Sequence, residues 1–89
     1  MANFFENLDP DVATELQLLS RLLYELRENR NAVLKPYAVA DEAALLQHIQ
    51  SGALAEHPAY EHYLAARILA DTRESARAQL GECLKQVNR

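Results

Sequence analysis

The chain is short of the residues that punctuate or cross-link a polypeptide. It has two glycines, three prolines and one cysteine in 89 residues. A sheet-rich domain needs more turn residues and more Val, Ile and Thr than this, so the scarcity points to helices. Two isolated glycines cannot build a phosphate-cradling loop. The lone Cys83 has no partner for an internal disulfide, which suggests a cytoplasmic protein. Positive charge is scarce too: nine Lys and Arg stand against thirteen Asp and Glu, a net charge of −4. The basic residues are dispersed, which argues against binding to bare nucleic-acid backbone or to an anionic membrane surface. No apolar run approaches bilayer length, and MANFFENLDP has neither the basic start nor the apolar core of a signal peptide.

What is present is globular in balance, 49% hydrophobic and 25% charged. It is enough for one domain over residues 1–89, with no internal repeat and no linker. A chain of this length buries only about 60–65% of its unfolded surface, so its stability is modest unless it oligomerises.

The local signals place three helices, at about 10–32, 41–51 and 58–86, behind a flexible N-terminal segment 1–8. Asp9 caps the first, with Pro10 at the first helical position and Asp11 in the positive first turn. Pro36 stops that helix by disfavouring helical backbone at Lys35. Asp41 caps the second, and Gly52 ends it in a left-handed conformation. His57-Pro58 opens the third. Gly81 lowers the stability of the third helix by about 1 kcal/mol relative to alanine.

Apolar spacing is the strongest signal. Val12, Leu16, Leu19, Leu23, Leu26 and Val33 alternate at four and three residues, with Arg30 as the polar member. Ala66, Leu69, Ala76, Leu80, Cys83 and Val87 repeat the alternation, with His62 and Arg73 as polar members. Such seams pack at shallow angles. Leu18 and Leu22 widen the first stripe beyond what one neighbour covers. Tyr60, Leu64 and Ile68 form a second face on the third helix, expected to receive the short helix. The expected architecture is therefore all-α: two long amphipathic helices and one short one, pairing as a homodimeric helical bundle. A compact monomer, with the short helix and Phe4–Phe5 covering the remainder, is the alternative.

The segment EHPAYEHY carries two Glu-His pairs and two tyrosines. His57 and His62 are five apart and share no helical face, and no glutamate has a histidine three residues later. No metal site and no cofactor is expected. No nucleophile-base spacing is visible, so the chain is not read as an enzyme. His62 is either hydrogen-bonded within the fold or a pH reporter at an interface. Cys83 reads as a small core hydrophobe. Arg30 and Arg73 either fix register within the seam or reach out to water.

The expected function is a small acidic protein–protein interaction module, acting as a regulator, adaptor or inhibitor on an unidentified protein partner and associating with itself. Its expected contact residues are Leu16, Leu18, Leu19, Leu22, Leu23, Leu26, Tyr60 and Tyr63. The alternative is a DNA-binding helix-turn-helix formed by the second and third helices. Against it stand the acidic start of the third helix, with no basic residue before Arg67, and a connector longer than three or four residues.

Overall fold

The computed structural model describes residues 9–87; the expectations for residues 1–8 and for Phe4–Phe5 lie outside them. Within that span the protein is all-helical. Helix α1 spans Pro10–Leu34, a single 3-10 turn spans Lys35–Tyr37, α2 spans Glu42–Gln50 and α3 spans Glu56–Val87.

Each helix start has a local cause. The Asp9 side chain accepts from the Asp11 amide at 2.8 Å, and the Asp41 side chain accepts from the Ala44 amide at 2.8 Å. Both bonds occupy amide donors that have no partner inside the helix. Gly52 adopts φ +82°, a conformation a side chain disfavours, and turns the chain out of α2. His57 is extended (φ −108°, ψ 134°), so regular α3 geometry begins at Pro58.

Helices α1 and α3 form an antiparallel hairpin. Toward one end, Leu16 and Leu19 are buried with Cys83, flanked by Val12, Leu80 and Val87. Toward the other, Leu34 is buried with Leu45 of α2 and with Ala59, Tyr63 and Ala66 of α3. Leu45 is fully enclosed. The short helix therefore sits on the Ala59–Tyr63–Ala66 face of α3, not on Tyr60, Leu64 and Ile68 as the spacing suggested. Alanines at 59 and 66 leave room for Leu45 to approach the α3 backbone, which the bulkier ridge does not. Tyr60, Leu64 and Ile68 stay exposed.

The molecule is a rod of 55 × 20 × 18 Å with a radius of gyration of 17.6 Å. A compact domain of this length has a radius near 12 Å. The cross-section is two helix diameters, and α3 alone is about 48 Å long. Each long helix is thus covered on one side by the other, while α2, about 14 Å long, covers only one end.

Candidate interaction surface

The expected contact residues divide into two groups. Leu16, Leu19, Leu26 and Tyr63 are buried against this chain's own helices and are unavailable to a partner in this conformation. They occupy the α1–α3 seam and the α2 contact, where intrachain packing already removes them from water. Leu23 is half-buried in the seam. Leu18, Leu22 and Tyr60 are exposed, at 63%, 39% and 37%. Leu64 (41%) and Ile68 (64%) join them, although the sequence had assigned those two to the short helix.

One hydrogen bond shows how these residues are arranged. Gln79 Nε2 donates to Glu15 Oε1 at 3.2 Å, bridging α3 and α1. Each of these residues immediately precedes a seam leucine, Leu16 or Leu80. The residues just before the seam on both helices therefore border the same long side of the hairpin. Leu18 and Leu22 precede Leu19 and Leu23, and Ile68 precedes Leu69, so all three belong to that side. The opposite side carries α2: Tyr63 and Arg67 line an open cleft with Glu42, Leu46 and Gln50. The side with Leu18, Leu22 and Ile68 is left uncovered by the described residues.

The polar members of the seams have different fates. Arg30 donates from Nε (2.8 Å) and Nη2 (2.5 Å) to Oε2 of Glu42, with both side chains only 21% exposed. It ties the C-terminal part of α1 to the start of α2. Arg73 has no such partner among the described residues; its Nε is buried without a hydrogen bond. It lies between shallow clefts bordered on one side by Leu23, Tyr24 and Arg27 and on the other by Arg30, Glu42 and Glu74.

EHPAYEHY resolves into helix-end contacts. His57 Nδ1 pairs with Glu61 Oε1 at 2.7 Å, one turn into α3. His62 Nδ1 hydrogen-bonds the Tyr37 hydroxyl, fastening the 3-10 turn to α3. The Tyr60 and Tyr63 rings stack at 5.8 Å, and Arg67 donates to the Tyr63 hydroxyl at 3.1 Å. Tyr37 and Glu42 were not singled out in the sequence because their partners are 25 and 12 residues away, beyond any periodic signal. Among the described residues no group of three His, Cys, Asp or Glu could hold a metal ion, and no helix is long and apolar enough to cross a membrane. Burial pushes the Cys83 thiol up from its ordinary range, and Glu15 adds to the shift by hydrogen bonding and repulsion.

Residues 12–88 match the model of the Uncharacterized protein MJ0235 family. The chain belongs to that family. No curated protein and no solved structure matches it. The match runs through the seams, α2 and the uncovered side alike.

Proposed function

We propose that this family member is a protein–protein interaction module that pairs with itself and docks on a protein partner, in the role of a regulator, adaptor or inhibitor. One observation carries the reading. Leu18, Leu22, Leu64 and Ile68 remain between 39% and 64% exposed on a hairpin that has no third long helix among the described residues to cover them. They form two apolar pairs, Leu18 with Leu22 one turn apart on α1 and Leu64 with Ile68 one turn apart on α3, and exposed apolar side chains of this size mark contact surfaces. A single cysteine fits a reducing, cytoplasmic setting.

Magnitudes limit the self-pairing. Full burial of a leucine or isoleucine stabilises by about 1.5–3 kcal/mol, and these residues are already partly covered. Four such residues from each of two copies yield a gross gain on the order of 8 kcal/mol. Association costs about 4–15 kcal/mol. The homodimer is therefore weak, with a Kd of about 1 mM when the association cost is at the low end of that range. Sedimentation and light scattering up to about 1 mM protein test it. The expected mass rises towards twice 10.0 kDa with concentration. Leu18→Glu and Leu22→Glu are expected to stay monomeric with unchanged helicity. A concentration-independent monomer in the unmodified protein would refute self-pairing.

The DNA-binding alternative finds no support in this geometry. Pro58 to Ala66 contain no lysine or arginine, and Arg67 is hydrogen-bonded to Tyr63.

A further inference from the structure

We infer that the uncovered side of the hairpin is built to receive a cationic amphipathic helix, with Leu18, Leu22 and Ile68 taking its apolar face and carboxylates on both hairpin helices taking its Lys and Arg. This rests on the interaction-module reading and names the chemistry of the partner.

The charge pattern carries it. Continuing the stripe of Leu18 and Leu22 along α1 at the same spacing reaches Asp11, Glu15, Glu25 and Asn29. Continuing the stripe of Ile68 along α3 reaches Glu61 in one direction and Thr72, Ser75, Gln79 and Glu82 in the other. Neither stripe contains a lysine or an arginine. Arg30 lies with α2 and Arg73 beside the clefts. Because Leu16 and Leu19 are buried with Cys83, with Leu80 packed against that cluster, Glu82 stands nearly level with Leu18, so Glu15 and Glu82 place acidic groups near that leucine on both helices. Arg21, His57 and Lys85 reach Glu25, Glu61 and Glu82 from neighbouring positions. Those are exposed short-range pairs that a partner's cations can replace at little cost.

The same pattern disfavours a second copy as the preferred occupant. Two copies would bring these carboxylates together, and each carries a net charge of −4. A cationic helix meets opposite charge at Asp11, Glu15, Glu25, Glu61 and Glu82 and presents its own apolar residues at i, i+3, i+4 and i+7. The two occupants respond oppositely to salt: screening strengthens the like-charged homodimer and weakens the cationic complex.

The test uses the full chain and a fluorescein-labelled peptide of 18 residues, roughly five helical turns, made of leucine and lysine in amphipathic order. A second peptide carries glutamate in place of lysine. Fluorescence anisotropy is expected to show saturable binding of the lysine peptide at low salt. Affinity should fall at least tenfold on raising the salt about sixfold, and the glutamate peptide should not bind. Glu15→Gln/Glu25→Gln is expected to lose at least tenfold in affinity. Glu28→Gln/Glu74→Gln, which removes the same charge away from the stripes, should lose less than twofold, with circular dichroism confirming that both variants are folded. Equal losses in the two double variants, or no saturable binding, would overturn the inference. A protein that dimerises but ignores the lysine peptide retains self-pairing and loses this proposal. A monomer that binds it in the stripe-dependent manner retains the proposal and loses self-pairing.

Discussion

Arg73 and Arg30 show how a single position in a seam is decided by what lies across from it. Both interrupt an apolar alternation, and spacing alone leaves two roles open for each. Arg30 found Glu42; Arg73 keeps a buried Nε without an acceptor. A buried donor left unpaired costs about 1–3 kcal/mol. Arg73→Met keeps the aliphatic stem and removes that donor, so it is expected to be neutral or to stabilise by up to about 1 kcal/mol. Glu42→Gln breaks a half-buried charged pair and should destabilise by roughly 1–2 kcal/mol. Urea titrations of the two variants, read by circular dichroism, check both signs. Cys83 gives a third outcome at this scale. Its thiol pKa is raised in the folded state, first by burial and then by Glu15. The folded state therefore holds the thiol proton more tightly than the unfolded chain does. The stabilisation is complete below the unfolded thiol value of about 8.5 and declines as pH rises beyond it. Cys83→Ala should lack that alkaline decline, and the native thiol should resist alkylation until the protein unfolds.

At the scale of elements, the two glycines make opposite predictions. Gly81 lies inside α3 with nothing within 4 Å of where a Cβ would stand. Gly81→Ala is expected to stabilise by about 0.5–1 kcal/mol, or several degrees in Tm. Gly52 has φ +82°, so Gly52→Ala should destabilise by about 1 kcal/mol despite equal open space. Asp41→Ala removes the bond to the Ala44 amide and should cost about 1 kcal/mol, felt mainly in α2. Thermal melts of the three variants test this ordering. Caps and stops of this kind are local: Asp9, Asp41 and Gly52 act within three residues of themselves, and so they are readable in the chain. The seat of α2 was not readable. Tyr60, Leu64 and Ile68 form a more hydrophobic ridge than Ala59, Tyr63 and Ala66, yet the short helix chose the latter. Hydrophobicity says which faces want covering; close approach over small side chains says which face α2 can reach.

For the whole molecule the governing fact is the rod. A hairpin 55 Å long and two helices thick covers one side of each helix and leaves the outer flanks to water or to a partner. Opposite salt dependence is the signature expected at this scale. The weight-average mass of the protein alone should rise between low and high salt, while its affinity for a cationic helical peptide falls over the same range. Sedimentation equilibrium across the salt series reads the first, and anisotropy reads the second. The excess width of the α1 stripe was visible in the chain as Leu18 and Leu22 beside the seam. Part of the expected contact set was not available, because Leu16, Leu19, Leu26 and Tyr63 turned inward.

The amino-acid order alone determined where the helices begin and which stripe of each long helix is apolar. Those properties follow from side chains acting over one or two turns, and a reader of the chain has all the partners in view. The stop expected at Pro36 was wrong in its cause: Lys35 keeps helical backbone (φ −55°, ψ −44°) and the chain runs on through Pro36 as a 3-10 turn. The tertiary structure alone decided which stripe α2 covers, that Arg30 meets Glu42, and that Glu15 meets Gln79 across the hairpin. Those contacts join residues 12 to 64 positions apart, so they depend on how two helices are rotated about their own axes when they pack. That rotation placed Leu18, Leu22 and Ile68 on one open side among carboxylates.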